Sequence, residues 1–188
     1  MPVLTEAPVG KVKRIGMVAR WKPLHLGHEL VLKALCEKAE TAIIGMGSCN
    51  RYDMRNPFRV EETSEMIHLV LAAYDNYELL QVPDLGDGPR WAKMITGDFG
   101  DLCLYVTANA WVRDLMASTW SVLHPVHLIA KEDRIPISGT MVRVAIARGE
   151  PWRELVPEVI ARYLEDNGLI DRFRDEFGPA TLASSGGH

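Results

Sequence analysis

Cysteine is scarce in this chain: three residues, Cys36, Cys49 and Cys103, among 188. An odd number at wide spacing supplies neither a disulfide framework nor the paired Cys-x-x-Cys of a structural zinc site, and fits reduced thiols in a cytoplasmic protein. Positive charge is short as well, with 21 Lys and Arg against 25 Asp and Glu, a net charge of −4. That balance argues against a nucleic-acid binder, which neutralises many phosphates with a surplus of Lys and Arg, so any phosphate recognition should be local. No apolar run approaches the roughly 20 residues of a membrane span. The opening "MPVLTEAPVGK" also lacks the apolar core of a signal peptide. Neither a nucleic-acid nor a membrane partner is expected.

What is present is the composition of a globular domain, 47% hydrophobic and 24% charged. "VKRIGMVAR" (Val12 to Arg20) and "TAIIGMGS" (Thr41 to Ser48) read as short buried strands, separated by "HELVLKALCEKAE" at helical spacing. "VEETSEMIHLVLAAY" continues as a helix, "YELLQVP" as a strand, "RWAKMITGDF" as a short helix and "LCLYVTA" as a strand. "NAWVRDLMASTW" follows as a helix and "VHLIA" (Val126 to Ala130) as a fifth strand. Strands that alternate with helices and read as continuous apolar runs predict a parallel sheet covered on both faces. The expected fold is α/β, a doubly wound parallel five-stranded sheet, with C-terminal helices in "SGTMVRVAIARGE" and "WRELVPEVIARYLEDNG". One domain is expected over residues 12–177, between flexible tails 1–11 and 178–188.

Two clusters carry chemistry. In "ARWKPLHLGHELVLKAL", His25 and His28 flank Gly27 where the first strand hands over to the first helix. Free backbone N–H groups and the positive helix end favour an anion there. Gly27 clears a side chain from its path, and histidine adds donors that can carry charge near neutral pH. No Cys or acidic cluster supplies further ligands, so no protein metal site is expected. Far along the chain, "ISGTMVR" again reads as a helix start, with Ser138 and Thr140 as capping hydroxyls and Arg143 about one turn in. A guanidinium there matches phosphate oxygens in forked geometry.

"HLGH" and "SGTMVR" together resemble the two signatures of the nucleotidylyltransferase superfamily. "ARWKPLHLGH", "GMGSCNRYDMRNPFRVEE" and "SGTMVRVAIARGEPWRELVPEVI" are similar to the archaeal-type nicotinamide mononucleotide adenylyltransferases, in the same order from about Arg14 to about Asn167. The resemblance implies a Rossmann-like fold, transfer of AMP from ATP to nicotinamide mononucleotide with release of pyrophosphate, Mg2+ accompanying ATP, and a homo-oligomer. It further implies that His25, His28 and Arg143 are catalytic. Arg20, Lys22, Ser48, Asn109, Ser138, Gly139 and Thr140 would bind nucleotide, and Arg55, Asp84 and Trp91 the acceptor, with the Trp91 ring against nicotinamide. Asn109 can equally be a helix cap, and Trp91 equally packing. The chain departs from the family pattern at Lys22, Leu24, Gly88 and Met141, where Gln, an aromatic, a polar residue and Glu are usual. Three alternatives stay open on the residues alone: another phosphorylated acceptor, CTP in place of ATP, and a catalytically weak nucleotide sensor.

Overall fold

The computed structural model describes residues 2–185. The chain divides into two compact units that interleave in sequence, where the sequence pattern predicts one domain. The first unit runs to Arg20 and then takes Leu30–Asn50 and Ala73–Arg134; the second takes Trp21–Glu29, Arg51–Ala72 and the chain from Ile135.

The first unit is built on six parallel strands: β1 Val3–Leu4, β2 Val12–Ala19, β3 Ala39–Gly47, β4 Tyr77–Val82, β5 Leu104–Val106 and β6 Val122–Leu123. Their order is β1-β6-β5-β2-β3-β4. The chain therefore grows outward from β2 through β3 to β4, then returns to the other side of β2 with β5. That reversal between β2 and β5 is the switch point whose carboxyl edge forms a ligand crevice in open α/β sheets. Connections include most of α1 (Leu26–Lys38), together with α3 (Gly88–Phe99) and α4 (Ala110–Met116).

Small residues set how closely a helix approaches this sheet. A Cβ on Gly16 would lie 2.5 Å from Leu102 Cδ1 and 2.9 Å from Phe99 Cδ2, and one on Gly45 would lie 3.0 Å from Phe99 Cζ. The Phe99 ring at the end of α3 thus occupies the volume these glycines leave. It belongs to an apolar core with Ile43, Val82, Ile95, Tyr105, Met116 and Trp120, in which the Tyr105 and Trp120 rings stack at 5.5 Å.

The second unit is helical: α2 Val60–Val70, α5 Gly139–Arg148, α6 Glu158–Asp166 and α7 Leu169–Ser185, preceded by the Trp21–Glu29 segment that opens α1. Gly149 ends α5 in the left-handed region at φ 71°, a conformation that costs glycine nothing. Arg172 of α7 grips Glu62 of α2 through two hydrogen bonds, at 2.5 and 2.7 Å, while Phe173 packs its ring against Phe58 at a centroid distance of 6.4 Å.

Four sequence expectations are corrected. "VHLIA" is not a strand: Pro125–Leu128 is a 3-10 turn, because Pro125 has a fixed φ and no N–H for a ladder, and the strand lies earlier at Val122–Leu123. The sheet has six strands rather than five, since the stretch 1–11, expected as a tail, supplies β1, which pairs with β6. The stretch 178–188, also expected as a tail, is helical to Ser185 with Pro179 inside α7; the remaining positions of that tail lie outside the described residues. Finally, "WRELVPEVIARYLEDNG" is not one helix but a 3-10 turn, Trp152–Leu155, and then α6. Pro157 stands at the N-cap of α6, where its missing donor leaves no helical bond unmade.

Candidate active site

The second unit brings the two signature motifs together. His25 is the residue before α1, and its Nδ1 accepts a hydrogen bond from the His28 backbone N–H at 3.3 Å. A ring nitrogen that accepts is unprotonated, so the neutral tautomer leaves Nε2–H as the donor available to a ligand. The His28 ring stacks on His25 at 3.6 Å with 20° between planes and meets the buried Trp21 edge-on at 4.9 Å. Its Nδ1 is buried with no hydrogen-bond partner among the described residues. A Cβ on Gly27 would lie 3.3 Å from the His25 ring, so the glycine clears space for that ring as well as for any incoming anion.

Arg143 projects from the second turn of α5. It is buried, at 8% exposure, unlike the solvated arginine of an ordinary helix start. Its Nη1 donates to the Lys22 carbonyl at 2.9 Å, and its Nη2 to Thr140 Oγ1 at 3.1 Å. Gly139 makes this possible, because its missing Cβ would stand 3.0 Å from Nη1. Ser138 Oγ accepts from the Met141 N–H at 3.3 Å and caps α5. Lys22 is buried too, at 2%.

The electrostatics follow from this crowding. Burial, reinforced by the Arg143 charge, lowers the His25 pKa to about 4. Burial and then the neighbouring His25 push His28 well below the usual range, with a backbone hydrogen bond to Pro23 opposing. Both imidazoles are therefore held in the neutral form in the ligand-free protein, and the charge that histidine can carry near neutral pH is suppressed there. Neutral ring donors in the same unit as the buried Arg143 guanidinium are groups that suit an anionic ligand.

Arg55 is exposed in the loop that leads to α2. Asp53 shapes this loop by accepting from the Arg55 and Asn56 N–H groups at 2.8 and 2.9 Å. Among the described residues, no hydrogen bond joins the Arg55 side chain to the histidine–arginine cluster.

The other expected site residues lie in the first unit, where several hold loops in place. Arg20 is exposed just beyond β2, and Ser48 follows β3 at a positive φ of 52°. Asp84 Oδ1 accepts from the Gly86 N–H at 3.1 Å. Asn109 caps α4, its Oδ1 accepting from Trp111 and Val112 at 2.9 and 3.2 Å. Trp91 is half-buried against the sheet core. Sequence reasoning misses Asn50, whose amide clasps the Asp84 backbone in both directions at 3.0 and 2.8 Å and so ties the loop after β3 to the loop after β4. It also misses Trp111, whose indole fills the space above Gly88; an apolar residue in the first turn of a helix carries no such signal by itself.

A doubly wound parallel sheet in one unit and a helix-start cluster of His, His and Arg in the other are together the features of a class, the Rossmann-like nucleotidyltransferases. No family model matches the chain. Curated relatives do: a nicotinamide-nucleotide adenylyltransferase from Methanococcus vannielii is 31% identical over 159 residues, 83% of this chain and 91% of its own. One from Methanococcus maripaludis is 29% identical over 163 residues, 86% of this chain and 94% of its own. Among solved structures, a bifunctional NMN adenylyltransferase/ADP ribose pyrophosphatase from Francisella tularensis, complexed with AMP and a manganese ion, shares the fold. Its TM-score is 0.67 at 13% identity, over 92% of this chain, which spans about half of that protein (54%). The chain belongs to the nicotinamide-nucleotide adenylyltransferase family.

Proposed function

We propose that this protein transfers the AMP moiety of ATP to nicotinamide mononucleotide, giving NAD and pyrophosphate, at the cluster of His25, His28 and Arg143. The observation that carries this reading is the seating of Arg143: one buried guanidinium is anchored to the backbone three residues before His25, and after burial its charge is the second cause that lowers that histidine's pKa. The two motifs thus act on one another rather than standing as separate helix starts.

The reaction is a direct in-line displacement. A phosphate oxygen of the mononucleotide forms a bond to the α-phosphorus of ATP while the bond to the bridging oxygen of pyrophosphate breaks. The nucleophile is already ionised near pH 7, so no protein base is needed. The residues contribute position and charge stabilisation. His28 donates to the α-phosphate, His25 Nε2–H to neighbouring oxygens, and Arg143 with Lys22 receives charge that develops on the leaving pyrophosphate. Ser138, Gly139 and Thr140 shape the start of α5, whose free N–H groups face the same anion. Arg20, Ser48 and Asn109 would serve the nucleotide, and Arg55, Asp84 and Trp91 the acceptor.

A divalent cation fits this site only as a companion of the nucleotide. The described residues contain no group of three or more His, Cys, Asp or Glu able to hold a metal ion, so Mg2+ would take phosphate oxygens and water as ligands. When bound it neutralises charge on the triphosphate.

The test is pyrophosphate release from ATP and from CTP, each with nicotinamide mononucleotide, nicotinate mononucleotide and other phosphorylated acceptors. ATP with nicotinamide mononucleotide should give the highest kcat/KM, and His28→Ala should lower it on the order of a hundredfold. Undiminished turnover in that variant removes the role given to His28. Release with none of the acceptors leaves a nucleotide-binding protein without transferase activity.

A further inference from the structure

Helix α7 grips the loop before α2 at two places. Residues four apart lie on one face of a helix, and Arg172 and Phe173 stand one turn before Glu176 and Phe177. The earlier pair holds the far end of the loop: Arg172 Nη2 donates to the Pro57 carbonyl at 3.3 Å, and the Phe173 ring packs on Phe58. The later pair holds the near end: the Tyr52 hydroxyl donates to Glu176 Oε2 at 2.5 Å, and its ring meets Phe177 edge-on at 5.0 Å. The guanidiniums of Arg59 and Arg172 lie 5.5 and 5.9 Å from the centre of the Tyr52 ring, within cation–π reach. All of these residues belong to the second unit.

Between the two grips, Asp53 to Asn56 form a closed turn. The Asn56 N–H donates to the Asp53 carbonyl at 2.8 Å and the Asp53 N–H to the Asn56 carbonyl at 3.3 Å. The Asp53 carboxylate also accepts from the Arg55 and Asn56 N–H groups and from Asn56 Nδ2 at 3.0 Å. A turn so bonded moves as one piece, and the points that hold its shoulders decide where Arg55 stands. The two grips differ in kind. Phe58 and Phe173 are buried and serve the core, whereas Tyr52 is 42% exposed. A phenol that wet adds little to a core; its bond to a carboxylate holds one shoulder of the turn. Glu176 and Phe177 follow the last stretch that resembles the family, so no signature motif contains this clasp.

We propose that Tyr52, held by Glu176, is a positioning residue for the acceptor, fixing the turn from which the Arg55 guanidinium meets the phosphate of the mononucleotide. A loop that wanders must be ordered when the phosphate binds, which weakens affinity; a clasped turn is ordered beforehand. The effect therefore falls on acceptor binding rather than on the chemical step. This rests on the adenylyl-transfer reading above and on the place it gives Arg55.

The experiment combines steady-state kinetics, urea unfolding and limited trypsinolysis. Tyr52→Phe keeps the ring and loses only the donor. It should raise the KM for nicotinamide mononucleotide about fivefold, the worth of one hydrogen bond, and leave kcat, the KM for ATP and the urea midpoint in place. Glu176→Ala should match it, and Glu176→Gln, which keeps an acceptor oxygen, should restore the wild-type KM. In an Arg55→Ala background, Tyr52→Phe should raise the KM no further, because groups that act as a unit are not additive. A full further rise in that background overturns the proposal, as does an acceptor KM unchanged in Arg55→Ala, or in both Tyr52→Phe and Glu176→Ala. If the wild type releases no pyrophosphate, the transfer reading fails. Protection of the Arg55 peptide bond from trypsin by nicotinamide mononucleotide, which needs no turnover, then decides the role of Tyr52: protection weakened in Tyr52→Phe supports it, and equal protection in both proteins, or none in either, overturns it.

Discussion

Arg143 Nη1 donates to the carbonyl oxygen of Lys22 at 2.9 Å, across 121 residues of chain. The bond fixes the turn that leads into His25 from a helix that begins more than a hundred residues later. One guanidinium is thereby both a structural tether and a charge that His25 feels. Because Nη2 is held by Thr140 Oγ1, the group is already oriented before any ligand arrives, which is the condition under which a charged donor favours a transition state most.

Replacing Arg143 separates these roles poorly, and the outcome should show it. In Arg143→Lys a single ammonium cannot reproduce the fork, so the Lys22 carbonyl or the phosphate loses its donor. The rate of pyrophosphate release should fall by about a hundredfold. Stability should fall with it, by about 1–3 kcal/mol for a buried acceptor left unmatched, as read by urea unfolding. A variant with turnover within threefold of wild type would show that this guanidinium does not meet the reacting phosphates.

The last helix should prove part of the fold rather than an appendage. Phe173 is buried at 1% exposure, whereas Leu182 on the same helix is 36% exposed. Phe173→Ala should cost about 3–5 kcal/mol of unfolding free energy, and Leu182→Ala only about 0.5 kcal/mol. Equal small effects in urea titrations would mean that α7 adds little to the second unit.

The contrast between β3 and α7 shows what a sequence displays. β3 is apolar on both faces and reads as a strand without help, because parallel strands lie between two helical layers. The end of α7, with Gly178 and Pro179 followed by small residues, looks like a tail by local propensity. It is helical because Arg172 and Phe173 anchor its beginning to distant residues, and such tertiary contacts leave no local pattern. β6 is two residues long, too short for any period, while the β-branched "VHLIA" imitates a strand that Pro125 prevents. The site divides in the same way. Motif spacing marks His25, His28, Ser138, Thr140 and Arg143, since each sits at a fixed offset from a helix start. The burial of Arg143, the neutrality of the histidines and the indole over Gly88 depend on groups brought together only by folding.

The histidines give stability a defined pH dependence. His25 binds its proton with a pKa of about 4 in the fold against 6.5 when unperturbed, and His28 is depressed in the same direction. Between these values the unfolded chain holds more protons than the folded one, so stability rises with pH. It should be fully present above about pH 6.5 and decline as pH falls toward 4, by about 3 kcal/mol for His25 alone. Glu62, whose carboxyl is held below its usual range by the Arg172 hydrogen bonds despite its burial, adds a separate loss at lower pH. Urea unfolding from pH 8 to 5 should show the slope, and His25→Asn should flatten it. A slope unchanged in that variant would place the His25 pKa near its ordinary value.

The same depression makes nucleotide binding a proton-linked event. A triphosphate seated against His25 and His28 places negative charge beside two imidazoles that burial keeps neutral, helped by the Arg143 charge at His25 and by His25 at His28. Opposite charge favours the protonated form and raises both pKa values toward neutrality. In the window of about pH 5–7, where free histidine titrates, binding of ATP should therefore draw protons from solution. Calorimetric titrations in two buffers of different ionisation enthalpy measure that uptake directly. The apparent enthalpy should differ between buffers near pH 6 and converge near pH 8.5, where even raised imidazole pKa values leave the rings neutral. His25→Asn should reduce the difference at pH 6 while ATP still binds. If the wild-type enthalpy is independent of buffer throughout that range, the triphosphate does not lie against these histidines, and the phosphate cradle must be sought elsewhere on the chain.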